Sequence, residues 1–295
     1  MGGARFAIFL STVLAIWAGM HAYVFWRAGS VPWIAAHVSR RALILTAVVL
    51  WASYPVARIL DSWSERPVTW PLEFLAACWV GVLFLCVAAM LVADVATLGG
   101  WLTPRLAGTL RGGALLLAIV LALIGVVQAV RKPVVREYEV RLPGLPPAQD
   151  GLVVVQISDL HLGTLLGSSW LKQLVDQVNG LEPDLIVAVG DIVDGNVRRV
   201  EPFVPILKGL KAPLGVWAVT GNHEFYAGLD RSVQLLTESG FELLRDRWVT
   251  AAPGLVLAGV DDLTARQQMG LNDGAIEAAL SNRPVGAAIL LSHSP

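Results

Sequence analysis

Four long apolar runs, at roughly residues 6 to 26, 42 to 60, 74 to 98 and 114 to 130, restrict this chain more than anything else in it. They match the ~17 to 25 residues a helix needs to cross the hydrocarbon of a bilayer, the last run being the shortest. With no water there to satisfy backbone N–H and C=O groups, a spanning segment of this kind must be helical. The expectation is therefore a domain of four transmembrane helices over residues 1–132. Composition agrees, because 55% hydrophobic and 15% charged residues make the chain too oily for an ordinary soluble enzyme. Trp26, Trp33, Trp63, Trp70 and Trp101 flank the runs as interfacial anchors do. Arg5 precedes the first run as in a signal peptide, but no small-x-small cleavage site closes that run and three more follow, so it reads as an uncleaved helix.

Four spans put both ends of this domain on one side of the membrane. That side carries Arg5, Arg58, Arg66, Arg131, Lys132 and Arg136, and the other Arg27, Arg40, Arg41, Arg105 and Arg111, a near balance that the Arg131–Lys132 pair tips toward a cytoplasmic C-terminal domain. Asp94, near the end of the third run, is the intramembrane acid that a transporter reading would use; Gly99 and Gly100 nearby favour an interfacial position instead. Cys78 and Cys86 share one apolar run and read as small buried residues rather than a disulfide framework. A net charge of −1 lacks the basic surplus of a nucleic-acid binder, so no nucleic-acid partner is expected.

From 133 to 151 the text becomes a Pro-rich connector, with Pro133, Pro143, Pro146 and Pro147 around a short strand expected at Glu137 to Leu142. Residues 152–295 form a second domain. Its apolar runs at Leu152 to Ile157, Leu185 to Val189, Val216 to Val219, Leu255 to Val260 and Ala287 to Leu291 read as buried strands. A helix is expected between the first two, with Trp170, Leu171, Leu174, Val175 and Val178 on its apolar face.

Ligand-type residues follow these strands directly: Ser158-Asp159-Leu160-His161, then Gly190-Asp191, Gly221-Asn222-His223-Glu224 and Ser292-His293-Ser294-Pro295. In an open α/β sheet the strand C-termini share one edge, where ligands bind, so these distant segments are expected to converge. Extended backbone at Asp159 and His161 would send both side chains to one side, while Gly190 and Gly221 would allow sharp turns that deliver Asp191 and Asn222. A mixed oxygen and nitrogen donor set suits Mn, Fe or Zn. Two such cations polarise a phosphoryl group and activate water for in-line attack, with His223 free to protonate the leaving oxygen. Each motif alone is weak: D-L-H arises by chance, Gly-Asp is ordinary turn chemistry, and Asn222 could simply cap a helix. Asp194 and Glu224 rank behind, as partners of the ligands, and Asp261 and Asp262 read as turn residues.

Together D-L-H, G-D-I-V-D, G-N-H-E and S-H-S-P resemble the calcineurin-like metallophosphoesterase superfamily, and "LPGLP" before "LVVVQISDLHLG" resembles its bacterial membrane-associated branch. The likeness covers roughly residues 137–295. It implies a β-sandwich flanked by helices and a dinuclear metal site, with Asp159 and His161 on the first metal, Asp191 bridging, Asn222 and His293 on the second, and His223 assisting catalysis. A multi-pass protein of the bacterial cell membrane follows, hydrolysing a phosphate mono- or diester, with a phosphorylated lipid or nucleotide-lipid suggested by location. The family pattern continues to a Gly-His-x-His motif that supplies one more histidine to each metal; its absence here implies a truncated sequence. The alternative is a non-catalytic metal- or phosphate-binding membrane module with an incomplete dinuclear site.

Overall fold

A computed structural model describes residues 3–63, 70–101, 103–163, 165–271 and 274–294. Arg66 and Pro295 lie outside these residues, as do the side chains of Arg5, Trp63 and Trp70. The chain divides into two compact units, Met1–Arg131 and Lys132–Pro295.

The first unit is helical: α1 (Gly3–Ala28), the short α2 (Pro32–His37), α3 (Arg40–Trp63), α4 (Trp70–Ala96) and α5 (Pro104–Ala129). Four segments, Ala7–Ala28, Arg40–Leu60, Pro71–Ala96 and Pro104–Ala129, are long and apolar enough to cross a membrane. The last span is longer than its apolar run, because Pro104 sits in the first turn, where its fixed φ and missing N–H suit a helix start. Arg105 and Arg111, expected in a loop, are therefore helical. On α5 the buried residues Ala107, Gly108, Ala114 and Ala118 keep the packed side small, which lets helix backbones approach closely. Val24 of α1, with Leu83, Cys86 and Met90 of α4, completes the buried core of this unit, while Ile16, Leu45, Val92 and Leu116 point outward as lipid-facing residues do. Cys78 and Cys86 are both free thiols. Trp26, Trp33 and Trp101 are 67%, 67% and 83% exposed, as expected of interfacial anchors.

Polar ties join these helices. Trp79 Nε1 donates to His21 Nε2 at 2.9 Å, so the His21 proton is on Nδ1, which donates to the Trp17 carbonyl at 2.8 Å. Asp94 is buried, accepts hydrogen bonds from Arg111 Nε at 2.7 Å and the Tyr23 hydroxyl at 2.8 Å, and is ion-paired with Arg27 Nε at 2.6 Å. The carboxylate thus staples α1, α4 and α5 together, and Arg27 and Arg111 are spent on it rather than offered as loop charges.

The second unit holds two sheets. One is parallel, in the order β1 (Val154–Ile157), β2 (Leu185–Val189), β3 (Val216–Val219), β4 (Glu242–Leu243). The other pairs β5 (Arg247–Ala252) antiparallel to β6 (Leu255–Gly259), and β6 parallel to β7 (Ala287–Leu291). Leu185, Val187 and Val189 alternate toward Leu257 and Leu291 of the second sheet. Ile186 and Ala188 face the other way, into a core shared with α6 (Ser168–Asn179), α7 (Val204–Leu207) and α8 (Asn222–Glu238). Burial on both faces explains why β2 reads as an unbroken apolar run. The result is a two-sheet sandwich flanked by helices, not a single open sheet. The short helices α9 (Leu263–Gln268) and α10 (Ala275–Leu280) lie between β6 and β7. On α6, Leu171, Leu174, Val175 and Val178 are buried as the apolar stripe requires.

One sequence expectation fails here. Glu137 to Leu142 forms no strand; Tyr138 and Val140 are 77% and 70% exposed, and alternation marks a strand only where a ladder partner exists. The strands β4 and β5 carry too weak an apolar signal to be seen in advance.

Candidate metal centre

The expected motifs do converge, at the ends of β1, β2, β3 and β7. The turns after β1 and β2 run side by side: Asp159 N donates to the Gly190 carbonyl at 3.2 Å, His161 N to Asp191 at 2.9 Å and Leu162 N to Ile192 at 2.9 Å. Along this paired path Asp159, His161 and Asp191 all take left-handed backbone, with φ of 55°, 43° and 53°. Asp159 and His161 are therefore not delivered by extended backbone, as their spacing suggested. Such conformations cost ~1–3 kcal/mol each in residues with a side chain and gather where function over-determines the chain.

The two glycines also divide their roles differently. Gly190 has φ 76° and so uses its conformational freedom. Gly221 is extended, at φ −100° and ψ −174°, and needs no such freedom. What it needs is space, since a Cβ there would lie 2.2 Å from Asp191 Oδ1.

Asp191 is the hub. It is 3% exposed; its Oδ1 accepts the His223 backbone N–H at 2.9 Å, and its Oδ2 lies 3.3 Å from His293 Nε2, 3.7 Å from His161 Nε2 and 3.9 Å from His223 Nε2. His293 Nδ1 meets the Val189 carbonyl at 2.9 Å. That contact places the ring proton on Nδ1 and turns the Nε2 lone pair toward Asp191, the tautomer a metal-ligating imidazole uses. Burial disfavours the charged His293 ring, but the Val189 carbonyl and the Asp191, Asp159 and Asp262 carboxylates outweigh it and hold the pKa above the usual 6.5.

His223 is positioned by Asp194, whose Oδ1 lies 2.8 Å from its Nδ1, and its ring stands edge-on to His161 with centroids 4.6 Å apart. Ligand-type atoms fall into two groups, each within 4.8 Å: Asp159, Asp191 and His293, and His161, Asp194 and His223. His161 Nε2 also lies 3.8 Å from Asp159 Oδ1, so the groups adjoin. Asn222 opens α8 beside His223, half-buried, and its side-chain amide makes no hydrogen bond among the described residues. Carboxylate oxygens and imidazole nitrogens crowded this closely fit hard or borderline divalent cations, which would neutralise the clustered charge.

Glu224, ranked low from sequence, is fully buried. Burial pushes its carboxyl pKa upward, against the amides of Val193, Gly221 and Asp191, which favour the ionised form. Asp261 and Asp262 are engaged elsewhere: Asp261 accepts Arg245 at 2.9 Å and Thr220 at 2.7 Å, and Asp262 caps α9 through Ala265 N at 2.6 Å.

The sequence model of the calcineurin-like phosphoesterase family matches residues 152–295. Among curated proteins, the chain is 37% identical over 191 residues to a zebrafish (Danio rerio) protein named "Transmembrane protein with metallophosphoesterase domain", covering 62% of this chain and 44% of that one. It is 30% identical over 261 residues to the protein of the same name from Bos taurus, covering 79% of this chain and 57% of that one. A bacterial relative, the "Uncharacterized metallophosphoesterase" of Aquifex aeolicus, is 37% identical over 128 residues, 43% of this chain and 49% of the other. The chain thus spans about half the length of the curated relatives it matches. No solved structure matches it significantly.

Proposed function

We propose, for a chain that belongs to the calcineurin-like phosphoesterase family through its residues 152–295, that this domain hydrolyses a phosphate mono- or diester at a dinuclear centre. The observation that carries the reading is Asp191 Oδ2, buried and faced by three imidazole nitrogens at 3.3 to 3.9 Å. Asp159 and His161 are assigned to one metal, Asn222 and His293 to the other, and Asp191 to both. The bound cations supply Lewis acidity toward the phosphoryl oxygens and lower the pKa of water. Mn, Fe and Zn all suit the donor set.

The chain's own groups do the rest. Asp191 is held by the His223 amide, and His293 by the Val189 carbonyl, so both ligands are oriented before a substrate arrives. Asp194 holds the His223 ring at Nδ1 and leaves Nε2 on the side of Asp191, where a proton can pass to the leaving oxygen. Apolar helices and relatives named as transmembrane proteins make this a membrane protein, and a lipid-linked phosphoester is the substrate class that location favours. The Arg131–Lys132 pair directly after the last span is the basis on which the domain is assigned to the cytoplasmic side.

Hydrolysis of bis-p-nitrophenyl phosphate with added Mn tests the chemistry. Turnover that is lost in Asp191→Asn and falls sharply in His223→Ala is expected. Undiminished turnover in either would overturn the assignment of that residue. Comparing a phosphorylated lipid in mixed micelles with a soluble phosphodiester tests the substrate class; equal kcat/KM would reject the lipid.

A further inference from the structure

Glu224 accepts four backbone N–H groups with one carboxylate. Oε2 takes Asp191 N at 2.9 Å and Gly221 N at 2.7 Å, and Oε1 takes Ile192 N and Val193 N, both at 2.8 Å. A capping box at the start of α8 explains the Gly221 bond alone, since that pattern joins a residue at the third helical position to the N-cap amide. The other three donors come from the turn after β2, more than thirty residues away in sequence.

That turn is where Asp191 sits in left-handed backbone, a conformation that persists only where surroundings enforce it. Three successive amides converging on one point make a concave anion site, and Glu224 fills it from α8. The link is reciprocal, because the His223 amide of the same helix end holds Asp191 Oδ1. One buried carboxylate thus ties together the turn after β2, the turn after β3 and the first turn of α8, which carry Asp191, Asn222 and His223.

We propose that Glu224 is the positioning residue of the metal centre: it locks the Asp191 turn in the conformation that aims the carboxylate, and so sets metal affinity without touching a metal. The proposal rests on the reading of Asp191 as a metal ligand. Glu224→Gln is the informative change, being of equal shape. The glutamine oxygen can still accept two amides, but its NH2 must face the other two, donor against donor. Loss of such support typically weakens metal binding ~10–100-fold.

The experiment is Mn binding by calorimetry, with the full-length protein in detergent, at a temperature well below unfolding. The set is wild type, Glu224→Gln, Asp191→Asn and Leu171→Ala, the last removing a fully buried side chain on α6. Leu171→Ala should lower the melting temperature yet bind Mn as the wild type does. Glu224→Gln should bind at least tenfold more weakly than Leu171→Ala at matched folded fraction, and Asp191→Asn more weakly still. Wild-type affinity in Glu224→Gln, with Asp191→Asn deficient, would overturn the positioning role alone. Wild-type affinity in Asp191→Asn would overturn the ligand reading and the proposal with it.

Discussion

Gly221→Ala tests the steric design of this site directly. Gly221 is in extended backbone that alanine adopts without strain, and replacing glycine there should by itself stabilise the fold by ~0.4–1 kcal/mol through the unfolded state. The contact acts the other way. The new Cβ would stand 2.2 Å from Asp191 Oδ1 and 2.6 Å from Asp191 N, where ordinary contacts begin near 3.4 Å. The Asp191 carboxylate therefore has to give way by about 1 Å, and the Asp191 amide, tied to Glu224 and itself inside contact distance, has to shift with its turn. Ligand constellations tolerate displacements of ~0.5 Å, and an error of ~1 Å costs about 10²-fold in rate. Overpacking of this size also destabilises by ~1–3 kcal/mol. The expected outcome is therefore a protein that still folds, with a modest drop in melting temperature, about 10²-fold lower kcat/KM on a chromogenic phosphodiester and weaker Mn binding. A Gly221→Ala variant with unchanged Mn affinity and turnover would refute the argument that this glycine exists to admit Asp191.

Asp194→Asn should lower kcat by about 10²-fold with Mn stoichiometry retained, because it loosens His223 rather than a metal; loss of one Mn per chain would instead make Asp194 a ligand. Asp94→Asn should destabilise the helical unit by about 3 kcal/mol in a denaturation series in detergent, since Arg27 and Arg111 lose their shared counter-charge; an unchanged unfolding midpoint would refute the staple. In metal-free protein the raised pKa of His293 stabilises the fold fully below its unfolded value of 6.5, and that contribution is lost as pH rises through the higher folded value. The melting-temperature gap between wild type and His293→Gln should therefore shrink as pH rises above 6.5, and a gap that widens would be inconsistent with this sign. Arg245→Met should cost ~1–3 kcal/mol of stability, measured by thermal unfolding, because it leaves buried Asp261 with only the Thr220 hydroxyl and the more distant Arg266 guanidinium.

How much of this was legible before any fold was known depends on the range of the interaction. The four spans are a property of local composition, because a bilayer admits only helices whose backbone bonds are internal. The buried strands β2, β3, β6 and β7 announced themselves by apolar runs, and the six expected site residues by their place directly after strands. Residues whose role depends on partners distant in the chain were not readable in this way. Arg111 looks like a loop charge until Asp94, on another helix, claims it. Glu224 looks like a helix-start residue until three amides from a different turn meet it. Extended spacing was a sound default for Asp159 and His161, but side-by-side pairing with the Gly190–Ile192 turn drives both into left-handed backbone. Local composition thus marked the membrane helices, the buried strands along the chain and the polar groups at their ends. Only the tertiary structure decided which of those groups face one another, because hydrogen bonds and steric contacts act between neighbours in space.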